Sequence, residues 1–147
     1  MSSFVDVLNK LKATLENHPE LQAFCQAKWG KALTVRVVFK KRAEVLLAEL
    51  PIIMLTRPQV AYQELNAVRD STHRMRLYSG FQQSARDLGV YELVEFEEQI
   101  NNAVLQDPTI GGLAIDIAVI ESANDEGACA PQYFTAIDYD VRYRRFY

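Results

Sequence analysis

The chain has 147 residues, 49% hydrophobic and 24% charged, enough to bury one core and too apolar for a disordered chain. Six Gly and five Pro exclude a collagen-like or low-complexity sequence, and a formal net charge of −3 argues against a general nucleic-acid coat. Cys25 and Cys129 are too few for a disulfide framework and fit a reduced intracellular protein.

The elements follow in chain order. Ser3 is placed to cap a helix, with Asp6 at its third position. Phe4, Leu8, Leu11 and Leu15 then form one helical stripe, with Asp6 inside the pattern, so the start does not read as a signal peptide. His18-Pro19-Glu20 breaks that helix and opens a second one. Leu21, Phe24, Cys25 and Trp29 lie on its buried side, and Gly30 stops it.

Ala32 to Phe39 alternates and is rich in β-branched residues, which predicts a strand. Arg42 to Leu50 fits a helix or a strand, and Pro51 ends it in either case. The most apolar run, Val45 to Leu55, is interrupted by Glu49 and Pro51 and is too short for a membrane span. Ile52 to Leu55 reads as a short buried strand. Residues 57–72 read as polar and irregular, with a helical turn open to Gln63–Val68, and Arg74 to Phe81 reads as a strand on an edge or ending in a mobile loop.

A long helix is expected from Arg86 to Asp107. Its apolar face is Val90, Leu93, Phe96 or Val94, Ile100 and Val104, and its wet face Glu92, Glu95, Glu97 and Glu98. Asp107-Pro108 ends it, and Gly111 and Gly112 form a turn in which at least one has positive φ. Leu113–Glu121 and Tyr133–Tyr143 then predict two strands joined by a loop at 122–132. Thr135, Ile137, Tyr139, Val141 and Tyr143 share one face of the last strand; Ala136, Asp138, Asp140 and Arg142 share the other.

This order predicts an α+β fold: a mostly antiparallel mixed sheet with helices packed on one face. The chain reads as one domain, 1–147, with a helical part at 1–30 and a sheet-and-helix core at 31–147 closed by the C-terminal hairpin. It also reads as soluble and cytoplasmic.

Charge is unevenly spread. Residues 1–80 are net +5, residues 81–140 net −11, and the last seven net +3. Two unlike faces of this kind would suit a head-to-side contact between copies.

Chemistry-bearing patterns are sparse. His18 sits at a helix junction, and His73 lies beside Arg74 and Arg76, a poor place for a neutral base. No metal-ligand spacing or phosphate loop is present, which leaves no cofactor to expect. Asp116, Asp138 and Asp140 could cluster for acid–base or cation chemistry. A surface facing solvent or a neighbouring subunit, with Arg142 as counterion, accounts for them too. Arg69, Arg74 and Arg76 could touch phosphate, and Tyr133, Phe134, Tyr139, Tyr143, Phe146 and Tyr147 could stack on bases. Packing and an interface explain both sets equally.

The segment from Glu92 onward has a further pattern: an acidic amphipathic helix, then Asp107-Pro108-Thr109-Ile110-Gly111-Gly112-Leu113, a strand, a variable polar loop and a last strand ending in Tyr-Arg-Arg. It resembles the tail terminator (tail completion) proteins of long-tailed bacteriophages and prophages. The Leu50-Pro51-Ile52-Ile53 strand is similar to that family's central strand.

The resemblance implies a non-enzymatic subunit of a homo-oligomeric, hexameric ring on the end of the tail tube. That ring stops tube growth and presents a surface to the head–tail connector, in the virion tail and, during assembly, in the host cytoplasm. Its expected partners are copies of itself, the tail tube protein and the connector protein, with no membrane and no nucleic acid beyond DNA passing through the ring. The candidate interface residues are Arg74, Arg76, Asp116, Asp138, Asp140 and Arg142, with Gly111 and Gly112 at the turn. The competing reading is a small α+β ligand-binding or enzyme domain using the three aspartates and Cys129.

Overall fold

A computed structural model describes residues 3–65 and 68–146. Helix α1 spans Phe4–Glu16 and α2 Pro19–Trp29. As the sequence suggests, the Ser3 amide donates to Asp6 Oδ2 at 2.8 Å and His18 caps α2, its Nδ1 accepting from the Leu21 amide at 3.2 Å. Strand β1 is Thr34–Arg36, β2 Ile52–Leu65, β3 Val68–Gln82, α3 Arg86–Leu105, β4 Asp116–Asn124 and β5 Gln132–Phe146.

The strands form one mixed sheet in the order β1-β2-β3-β5-β4, with only the β1–β2 pair parallel. This is the expected α+β layout. The helices lie on one face. Val7, Leu11, Leu15, Leu93, Phe96 and Ile100 meet Ile53, Leu55, Met75, Leu77, Ile137 and Tyr139 in the main core. Phe24, Trp29, Phe81, Phe96 and Tyr133 form an aromatic chain tying α2, β3, α3 and β5 together. Gly89 is where α3 comes closest to β5, since a Cβ there would fall on the Tyr133 ring.

The opposite face is covered at one end only. Residues 37–50 cross it, and Val45 and Leu50 pack on Ile52, Met54 and Phe134. Ile52 to Leu55 is therefore sandwiched between two layers. That explains four consecutive apolar residues, none more than 2% exposed.

Several elements differ from the sequence reading. Strand β1 keeps only three of the eight residues expected at 32–39, because the chain then leaves the edge to cover the sheet. Residues 42–50 are neither helix nor strand but two short 3-10 turns, Arg42–Glu44 and Leu47–Glu49. Residues 57–72 are not irregular: β2 continues to Leu65 and β3 begins at Val68, paired antiparallel with a bulge between Thr56 and Gln59.

Burial explains that miss. Residues 57–63 of β2 are largely exposed, while Ser71 and His73 of β3 are polar yet buried, so no apolar alternation marks either strand. On α3, Phe96 rather than Val94 faces the core, Val90 is exposed, and Glu92 is buried. Glu92 Oε1 accepts from Trp29 Nε1 at 3.1 Å and Gln83 Nε2 at 2.8 Å, which compensates its burial. Strand β4 starts at Asp116 rather than Leu113, because the turn after α3 occupies the intervening residues.

That turn is built by Asp107. Its Oδ1 accepts from the Thr109 amide and hydroxyl at 3.1 and 2.8 Å, and its Oδ2 from the Gly111 amide at 2.7 Å. Thr109 Oγ1 in turn accepts from the Gly112 amide. The Gly111 amide above all, then Thr109, holds the Asp107 carboxyl below its ordinary pKa. Gly111 and Gly112 have φ of 66° and 83°, and Ile110, buried in the core, has φ of 52°. Asp107, Thr109, Ile110 and the two glycines thus each have a local job, and the turn packs on Lys10 of α1.

Candidate functional site

The sheet face away from the helices carries the residues singled out from sequence. In register, Asp70 lies opposite Arg144, Arg74 opposite Asp140, Arg76 opposite Asp138, and Arg142 opposite Asp116. Alternation puts all eight side chains on this face, and each pair closes. Arg74 Nε donates to Asp140 Oδ1 at 2.7 Å. Arg76 grips Asp138 with Nε at 2.7 Å and Nη2 at 3.2 Å. Arg142 Nε reaches Asp116 Oδ1 at 2.9 Å, and Arg144 holds Asp70 at 2.6 and 2.9 Å.

Arg74 Nη1 also lies 3.5 Å from Asp138, so the two central pairs are linked. Asp70 is held below its usual pKa chiefly by Arg144, and Arg74, Arg76, Arg142 and Arg144 are pushed up by their aspartates.

The structure brings together all six charged residues expected at an interface. Two of the four pairs, Arg74–Asp140 and Arg76–Asp138, join the positive segment before residue 81 to the negative one after it, so part of the charge split is satisfied inside the molecule. Asp70 and Arg144 belong to the same ladder and went unremarked; the register that pairs them becomes visible only once β3 is known to extend to Val68. The side chains of Arg69 and Phe146, and all of Tyr147, lie outside the described residues. Gly111 and Gly112 sit on the helix side, remote from the ladder in the layering.

The other reactive groups are dispersed. Cys25 is buried and its thiol is pushed up to about 12 by burial, as suits a core residue. Cys129 is exposed and accepts from Arg42 Nη1 at 2.9 Å. His73 is 3% exposed and stacks on Phe4 with ring centroids 3.9 Å apart. Arg57 can only donate, so Nδ1 accepts from it at 3.2 Å. Nε2 therefore carries the proton and donates to Ser71 Oγ at 2.8 Å. Burial, with Arg57 beside it, pushes His73 down to about 4. Among the described residues no group of three His, Cys, Asp or Glu is placed to hold a metal ion, and no helix is long and apolar enough to cross a membrane.

A cleft of about 340 Å³ lies where residues 39–42 cross the sheet. Phe39, Met54, Tyr78 and Phe134 line it, with Lys41 and Arg42 among its cationic residues. Sequence reasoning missed it, because 37–50 reads as secondary structure rather than as a cover.

A three-helix layer on a five-stranded mixed sheet, with its second face half covered, defines a small α+β protein. The same fold occurs in the solved virion of a native gene transfer agent (GTA) particle. One of its chains matches this one with a TM-score of 0.67 over 94% of both chains, at 10% sequence identity. No family model and no curated protein matches the chain.

Proposed function

We propose that the chain is a structural subunit of a phage-like virion. Within that class we assign it to the ring that caps the tail tube, stops its polymerisation and offers a surface to the head–tail connector. The observation carrying this reading is a fold shared over 94% of its length with a chain of a GTA virion. The Asp107–Leu113 turn and terminal hairpin, which resemble tail terminators, support the finer assignment.

The role is architectural rather than enzymatic. Asp116, Asp138 and Asp140, the carboxylates an enzyme reading would use, are each engaged by an arginine. A carboxylate whose oxygens are already held by a guanidinium is not free to reach a substrate proton. The uncovered ladder of Arg74, Arg76, Asp116, Asp138, Asp140 and Arg142 is the surface we assign to the tail tube. The pairs give it a fixed pattern of charge for a polar partner.

The test is assembly. The purified chain should have the native mass of a closed ring, with six copies expected, and should shorten tubes when added to the polymerising tube protein of the same element. A monomer that leaves tube length unchanged overturns the reading.

A further inference from the structure

We propose that copies of this chain join head to tail, the outward face of α3 in one copy seating on the 37–47 segment of the next. The inference rests on the ring reading above and names the surfaces that build the ring.

Two exposed apolar patches carry it. On α3, Val90, Tyr91 and Val94 are 54%, 70% and 51% exposed. Helical spacing places them on one stripe with Asp87 before them and Glu98 after. On the covering segment, Val37, Phe39, Leu46 and Leu47 are 42–63% exposed. Side chains this large gathered in clusters on a soluble surface mark contact sites.

Charge pairs the two patches. Residues 86–98 of α3 carry Asp87, Glu92, Glu95, Glu97 and Glu98 against Arg86, whereas residues 37–47 carry Lys40, Lys41 and Arg42 against Glu44. The α3 patch meeting its own copy would set acid against acid. The α3 patch meeting the 37–47 segment sets acid against base.

Shape agrees. The cleft beside Phe39 is floored by Met54, Tyr78 and Phe134, apolar and about 340 Å³, room for one aromatic ring. Tyr91 is the most exposed large apolar side chain among those described and projects from the centre of the α3 patch. Tyrosine in an apolar pocket is the usual anchor of an interface.

Layering supplies the handedness of assembly. α3 packs on one face of the sheet and residues 37–50 on the other. Contact between opposite faces is heterologous, so each copy uses both patches and the chain of contacts can close into a ring.

The experiment uses two full-length variants, one per patch: Asp87→Lys with Tyr91→Ser, and Phe39→Ser with Lys41→Glu. All four side chains are largely exposed, and circular dichroism checks that each variant folds. Native mass is read for each alone and for their equimolar mixture. Each alone should need at least about tenfold more protein to assemble than the unchanged chain.

The mixture should give a heterodimer, twice the 16.7 kDa chain and no larger, because one intact α3 patch meets one intact 37–47 patch and growth then stops. Variants that still form the unchanged chain's oligomer, or a mixture that stays monomeric, overturn the proposed contact and leave the ring reading standing. If the unchanged chain is itself monomeric at high concentration, the contact falls too, and the tube-length assay then decides the ring reading separately.

Discussion

The same three strands, β2, β3 and β5, are held together differently at their two ends. At the end bearing Ile52–Leu55, Leu77–Phe81 and Tyr133–Ile137, both faces are covered, by helices on one side and residues 37–50 on the other. At the far end one face is closed by Phe4, His73 and Tyr143, and the other lies open under cross-strand ion pairs. Burial of apolar area stabilises the first end. The second buries apolar area on one face alone and adds backbone pairing and ion pairs that water weakens. A strand can therefore be long because its register persists, even where it has little to bury.

Removing atoms at the closed end should cost most. Leu77→Ala, at a fully buried position, is expected to lose about 2–5 kcal/mol in denaturant unfolding. A loss below about 1 kcal/mol would mean that the core collapses onto the gap.

The far end should be sensitive to acid through His73. Its pKa is lowered from 6.5 to about 4 in the folded chain, so the unfolded chain takes up the proton first as pH falls. Stability is then full above about pH 6.5, declines toward pH 4, and loses up to about 3 kcal/mol across that window. His73→Gln should flatten the slope between pH 7 and 4.5. An unchanged slope would place the acid-sensitive group elsewhere.

The ladder itself should be graded by burial. Asp138 is 5% exposed, so Arg76→Met leaves a buried carboxylate with only the longer contact to Arg74, and about 1–2 kcal/mol should be lost. Gly111→Ala should cost about 1 kcal/mol, since its φ is positive and a Cβ would meet Lys10 Cε at 2.8 Å. Arg142→Met, in a pair about half exposed on both sides, should change melting by no more than about 0.5 kcal/mol. Equal effects at Arg76 and Arg142 would remove the distinction between the ladder's centre and its rim.

The buried face of the sheet is legible in sequence and the pairing at its open end is not. Leu8, Leu11 and Leu15 announce α1 by spacing, and Ile137, Tyr139, Val141 and Tyr143 announce the buried face of β5, because apolar periodicity and burial coincide there. Arg57 to Thr72 fails the same test: its pairing is carried by backbone groups, which leave no mark on residue type.

Glu92 fails in the opposite sense, a charged residue brought inside by Trp29 and Gln83 from distant segments. The ladder was half legible. Asp138, Asp140 and Arg142 are visible as one face of a strand, but their partners Arg76, Arg74 and Asp116 are fixed by register, which sequence spacing does not carry.

The strand order has a consequence for how the molecule comes into being. β5 is made after every other strand, yet it sits between β3 and β4, in the interior of the sheet. About fifty residues separate the end of β3 from the start of β5, roughly 3 to 10 s of synthesis at ordinary ribosome speeds. Through that interval the fifteen-residue edge of β3 has its hydrogen-bonding groups open to any passing strand. Productive folding waits for β5 to emerge, and a chain cut before Gln132 would lack the partner of both β3 and β4.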